Sequence, residues 1–135
     1  MIVNAFFLCA SAEKHDDATL SVTHGGVQTV EVPNVPTGVP IELRPTAVLM
    51  AQREPGDPDH PSITVSVWSQ DGLSGGTTPV MFSGWESRYT DFIHESFPLN
   101  LSFTSDGVYL ITVHTDDGHD LDTALARWPL GVTAT

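Results

Sequence analysis

Cations are scarce in this chain of 135 residues: one lysine, Lys14, and four arginines, Arg44, Arg53, Arg88 and Arg127, stand against 17 acidic residues, for a net charge of −12. Nucleic-acid binding needs clustered cations to displace phosphate counterions, and there are none to cluster. Anionic membrane surfaces are disfavoured on the same ground. The acidity serves solubility, with a basic partner or a bound cation as the sharper alternative. Cys9 is alone, so neither an intramolecular disulfide nor a cysteine-based zinc site can form. It lies in the apolar run Phe6-Phe7-Leu8-Cys9-Ala10 and reads as a small buried hydrophobe. No apolar run approaches the roughly 18 residues of a membrane span. The stretch Ile2 to Ala12 ends in Ala10-Ser11-Ala12, like a signal cleavage site, but Met1-Ile2-Val3-Asn4 brings no basic side chain before it. The expectation is a first strand in a non-secreted protein, cytoplasmic or part of an assembly.

Long helical periodicity is also missing. A chain of this length suits one domain, 1–135, burying about two thirds of its unfolded surface. Forty per cent hydrophobic residues is a globular composition. Strand-like runs recur at short intervals between turn signals. They are Val3 to Ala10, Thr19 to Thr23 continued after His24-Gly25-Gly26 by Val27 to Val32, Thr46 to Gln52, Ile63 to Val67, Val80 to Trp85, Leu99 to Phe103, Tyr109 to Val113 and Leu121 to Leu130. Pro45 and Pro55 bracket Thr46–Gln52 too closely for a helix, so that segment reads as a buried strand. Gly25-Gly26 suggests a bulge or turn. Asp71-Gly72, Asp106-Gly107 and Asp116-Asp117-Gly118 read as turns, and Leu73 to Thr78 as a flexible stretch. About eight antiparallel strands of this spacing make an all-β domain, a two-sheet sandwich of immunoglobulin-like type, with a small β-barrel as runner-up. The sandwich is preferred because Asp106-Gly107-Val108-Tyr109-Leu110-Ile111-Thr112-Val113 is similar to the penultimate strand of such sandwiches, where a turn ending in Gly leads into a Tyr-bearing strand.

The same features, taken in order, resemble a family of short, uncharacterised bacterial proteins made of one β domain. They are the strand Phe7-Leu8-Cys9-Ala10-Ser11-Ala12-Glu13, the strand into Gly25-Gly26, the connection from Val32-Pro33 to the strand Val48-Leu49-Met50, the strand Ile63 to Gly72, the Gly-x-Tyr strand and the turn Asp117-Gly118. The resemblance covers nearly the whole chain and departs at Trp85 to Phe97. It implies an immunoglobulin-like or C2-like sandwich and carries no activity.

Three clusters could carry function. His114-Thr115-Asp116-Asp117-Gly118-His119-Asp120-Leu121-Asp122 offers carboxylates and imidazoles; Asp116, Asp117, His119 and Asp120 are the candidate ligands for a metal, calcium foremost, although the spacing fits no EF-hand loop. The plainer reading is a solvated acidic turn. Asp57, Asp59 and His60 form a second acidic loop. The segment Trp85 to Phe97 mixes aromatics with charge, and Trp85, Arg88, Tyr89, Phe92 and His94 are the candidate contacts for a protein partner, a sugar or a second copy of the chain. No nucleophile elbow, no His-Glu-x-x-His and no phosphate loop occurs, and Glu86, Asp91, His94 and Glu95 are an acid–base set of chance density. The expected function is a non-enzymatic interaction or structural module. The alternatives are a carbohydrate module using Trp68, Trp85 or Trp128, a calcium module, and a metal-dependent enzyme.

Overall fold

The computed structural model describes residues 1–135, the side chain of Ser74 excepted. Its regular structure is all β, in several largely antiparallel sheets, none closed into a barrel. One layer is a four-stranded sheet ordered β1 (Ile2–Cys9), β6 (Thr46–Gln52), β10 (Asp91–Pro98), β9 (Glu86–Ser87). The other is a five-stranded sheet ordered β4 (Thr29–Val32), β13 (Ala126–Ala134), β12 (Gly107–His114), β7 (Ser62–Ser69), β8 (Gly72–Met81). Two short antiparallel pairs complete it: β2 (Ser11–Lys14) with β3 (Leu20–Thr23), and β5 (Ile41–Leu43) with β11 (Leu101–Phe103).

Alternation drives the layering. On β7, Ile63, Val65 and Val67 turn into the core, as do Tyr109, Ile111 and Val113 on β12, where they meet Leu8, Ala47, Leu49, Ile93 and Phe97 from the other sheet. Each large aliphatic side chain so buried contributes about 1.5–3 kcal/mol. β6 is the central strand of its sheet, paired with β1 on one side and β10 on the other. The one parallel pairing joins β4 to β13, with Val30 opposite Val132.

Thirteen strands stand where about eight were expected. The extra ones are short pieces of two to four residues, such as β5, β9 and β11, too brief to show a period. β2 arises because the chain breaks after Cys9 and folds Ser11–Lys14 back onto β3. Leu73–Thr78 is not a loose stretch but part of β8. The ladder to β7 bulges there, and Gly75 passes so close to Val67 that an added Cβ would lie 2.7 Å from its Cβ. The last strand is also displaced: Leu121–Thr123 is a single 3-10 turn, because the Asp120 carboxylate accepts from the Asp122 N–H, and β13 starts only at Ala126. No helix is long and apolar enough to cross a membrane among the described residues.

Candidate functional site

Both solvent faces of the sandwich are partly roofed, and what remains open defines the candidate surfaces. The β2–β3 hairpin lies over β6 and β10. Cys9 and Val48 are buried beneath it, and Ala18, in the turn that joins β2 to β3, is buried too, although all three stand outside the main core. Lys14 Nζ fastens it, donating to Glu86 Oε1 at 2.8 Å and Glu95 Oε1 at 2.6 Å. Partial burial would lower the Lys14 pKa, but the two carboxylates outweigh it and hold it above the ordinary lysine value. Burial alone raises the Cys9 thiol.

The loop 115–125 roofs the other sheet, over Ser66, Thr112 and His114, which are fully buried. Thr64 Oγ1 and Ser66 Oγ donate to the carbonyls of Asp116 and Gly118, both at 2.8 Å. Beneath runs a directed chain of hydrogen bonds. Trp68 Nε1 donates to Thr112 Oγ1 at 2.8 Å, which leaves the Thr112 hydroxyl hydrogen free to point at His114 Nε2, 2.6 Å away. His114 is then neutral with its proton on Nδ1, donating to Thr123 Oγ1 at 2.9 Å, and Thr123 donates in turn to the Asp120 carbonyl at 2.9 Å. Burial holds the His114 pKa below the ordinary value, with Arg127 adding to the effect and Asp116, Asp117 and Asp120 opposing it.

The acidic turn itself spends its carboxylates on backbone. Asp116 Oδ1 accepts from the Gly118 N–H at 2.9 Å, Asp117 Oδ1 from the His119 N–H at 3.0 Å and Asp120 Oδ1 from the Asp122 N–H at 2.9 Å. The Gly118 N–H chiefly keeps the Asp116 carboxyl below its usual value. The loop holding Asp57, Asp59 and His60 lies at the same end of the sandwich, since Asp57 and Thr115 line one recess of about 90 Å³. Asp57 grips the Met1 ammonium, Asp59 pairs with Arg53 at 2.8 Å, and His60 Nδ1 meets the Ser83 carbonyl at 2.7 Å. Among the described residues no three His, Cys, Asp or Glu side chains are placed to hold a metal ion.

Trp85 to Phe97 is a hairpin. β9 and β10 are joined by Arg88-Tyr89-Thr90, and the turn is braced by the Arg88 N–H on the Thr90 carbonyl and by Ser87 Oγ on Asp91 Oδ1 at 2.9 Å. Arg88 and Tyr89 are at its tip, Arg88 reaching the Asp16 carbonyl at 3.4 Å and Tyr89 wholly exposed at 108%. The other candidates are occupied. Trp85 lies under Arg53, 5.6 Å from its ring, and donates to the Pro58 carbonyl. Phe92 and His94 pack against each other, their rings tilted by 50° with centroids 4.6 Å apart. Glu86 and Glu95 share Lys14, and Asp91 takes Arg53 and Ser87, so the acid–base set is spent on structure. Trp68 is buried. Trp128 donates to the Val27 carbonyl and, with Phe7, Val22, Gly25 and Gly26, walls a shallow apolar recess.

No protein-family model matches this chain, and no curated protein matches it either.

Proposed function

We propose that this chain is a non-enzymatic interaction module, an immunoglobulin-like sandwich that docks a protein partner through the tip of the β9–β10 hairpin. The strand orders support the fold assignment. β1-β6-β10-β9 follows the A-B-E-D order of such sandwiches, and β13-β12-β7-β8 follows G-F-C-C′, with β4 added alongside. Tyr109 Oη donates to the Ser105 carbonyl at 2.6 Å, as in the tyrosine corner at the start of the F strand. On this reading the chain is of a kind with the small bacterial β domains it resembles, with β2–β3 and β5–β11 as its own additions.

The observation that carries the docking assignment is Tyr89. A whole phenol ring stands in water beside Arg88 on a turn already fixed by its own hydrogen bonds. Tyr and Arg are the side chains most enriched at binding hot spots, and a preformed turn leaves little ordering entropy to lose on binding. The test is capture of partners from the native cell by immobilised wild-type domain and by Tyr89→Ala and Arg88→Glu. A protein retained by wild type and lost from both variants supports the assignment; equal recovery by all three, or recovery of nothing, defeats it.

A further inference from the structure

The cover over His114 is held by polar contacts alone. Of the loop 115–125 only Gly118 is buried, and neither Leu121 nor the half-exposed Leu125 belongs to the core cluster. Hydrogen bonds tie it to the sheet: Thr64 and Ser66 to the Asp116 and Gly118 carbonyls, and His114 Nδ1 to Thr123 Oγ1. The Leu125 N–H reaches the Val113 carbonyl at 2.8 Å, and Arg127 Nη2 the Leu121 carbonyl at 3.3 Å. A segment that buries little apolar surface opens at a lower free energy than the strands it lies on. Those strands have the inter-sheet core on their other face, so the loop can lift while they stay paired.

One of these ties ends on a group that changes charge in mild acid. An Nδ1–H that donates and an Nε2 that accepts fit only the neutral ring of His114. A second proton, on Nε2, would meet a Thr112 oxygen that already accepts from Trp68 and whose own hydrogen points at the ring. The loop brings Asp116, whose Oδ1 is 3.7 Å from Nδ1, then Asp117, Asp120, Asp122 and the exposed His119, and β13 brings Arg127. β12 itself adds Thr112, β7 adds Thr64, Ser66 and Trp68, and β8 opposite them adds Pro79, Thr77 and Leu73, none of them ionisable. The aspartates attract a proton to the ring. Yet Asp116, Asp117 and Asp120 each accept a backbone N–H already, and none is within hydrogen-bond distance of the ring. The charged ring needs two acceptors: the closed loop supplies one, and water supplies both.

We propose that the loop 115–125 is an acid-released cover: protonation of His114 frees it from the sheet while the strands stay folded, and uncovers Ser66, Trp68 and Thr112. The closed cover carries four aspartates. The face beneath carries hydroxyls, one indole and the imidazolium, with Arg127 opposite Thr112. Release therefore replaces an acidic surface by a patch holding two cations. An open form with an imidazole of ordinary pKa, 6.5, against a closed form that takes up no proton, multiplies the opening equilibrium by up to about thirtyfold from pH 7.5 to pH 5. The device goes beyond the docking role of the hairpin tip and uses none of its residues.

Hydrogen exchange followed by NMR tests it, in a chelating buffer so that no cation on the loop carboxylates takes part. The reporter is the Trp68 indole N–H, bonded to Thr112 beneath the loop. Its protection, corrected for intrinsic exchange, is compared with that of amides on the central strand β6, which exchange through global unfolding. In wild type the Trp68 indole is expected to be less protected than β6 at every pH, and to lose protection by up to about thirtyfold between pH 7.5 and pH 5. In His114→Gln this loss is absent. In Thr123→Val the ring has lost its acceptor, so protection is already low at pH 7.5; Thr123 is exposed, and that variant is expected to fold. Protection of Trp68 equal to that of β6 at each pH overturns the proposal, because only global unfolding then exposes it. So does protection that does not change with pH, a fall of the same size in His114→Gln, or wild-type protection in Thr123→Val. The wild-type and Thr123→Val measurements decide even where His114→Gln does not fold.

Discussion

His114 is enclosed by the loop 115–125 on one side and by Thr112 and Trp68 on the other, and both of its ring nitrogens are committed. Its charged form needs two donors, yet Nε2 faces a Thr112 oxygen that already accepts from Trp68 and gives its own hydrogen to the ring. Protonation therefore breaks the chain as well as burying a charge. Because the folded pKa is below the unfolded one, the unfolded state binds more protons as pH drops below about 6.5. The contribution of His114 to stability is complete above that pH and is lost progressively below it. In His114→Gln this titration is absent. The gap in thermal midpoint between wild type and variant should be widest near pH 7.5 and narrow steadily toward pH 5. A gap that stays constant or widens would contradict the neutral assignment. Gly118 belongs to the same clasp. Its φ is +75°, and an added Cβ would overlap Ser66 Oγ and come within 2.9 Å of Thr64 Cγ2. Gly118→Ala should cost about 1–3 kcal/mol or more by denaturant titration, the range for strained backbone positions. This site was half legible in the sequence. The acidic turn was visible, but its histidine was grouped with the carboxylates beside it. The better signal was the strand before it: if Tyr109, Ile111 and Val113 face inward, then Thr112 and His114 share the outer face with Ser66 and Trp68.

At the level of elements, the strands that alternate cleanly or are apolar throughout were readable, namely β6, β7 and β12. Their core faces need no tertiary knowledge to recognise. β10 was hidden because its inward series Ile93, Glu95, Phe97 has a charge in the middle, where Glu95 stays 35% exposed and meets Lys14 from another element. β2 was hidden because Ser11-Ala12-Glu13-Lys14 has no apolar alternation at all; it is a strand because its partner β3 and the layer beneath hold it. That dependence predicts how it fails. Lys14 and its two carboxylates are each between a quarter and a half exposed, so Lys14→Ala should cost no more than about 1 kcal/mol globally. Its larger effect should be local opening of the hairpin over Cys9. The rate of thiol labelling of native protein measures this directly: slow in wild type, clearly faster in Lys14→Ala. Unchanged labelling would mean that packing of Ala18 and Val48 suffices without the ion pairs.

For the whole molecule, the net charge of −12 sets the response to salt. Among the described residues the six ion pairs that do not depend on histidine involve only Met1, Lys14 and Arg53, while most of the carboxylates have no cation near them. Added salt weakens the few attractions and the many repulsions together, and the repulsions are the larger sum. The thermal midpoint at pH 7.5 should therefore rise as sodium chloride increases toward physiological strength. A fall would show that the Lys14 and Arg53 networks outweigh the self-repulsion. The all-β architecture followed from the spacing of turns along the chain, and the preference for a sandwich over a barrel from the Tyr-bearing strand Asp106–Val113. Which strands sit side by side did not, because pairing across the sheet is decided by residues far apart in sequence.

The parallel pairing of β4 with β13 has a consequence for how the chain comes off the ribosome. Val30 meets Val132, and the Trp128 indole reaches the Val27 carbonyl, so this edge waits for partners about a hundred residues downstream. At roughly 5–20 residues per second of synthesis, β4 spends several seconds without this neighbour. β7 and β8, joined by a two-residue turn, can pair as soon as they emerge. β1 can likewise join once β6 has emerged, so β4 is the strand that is locked in last, when β13 becomes available to it.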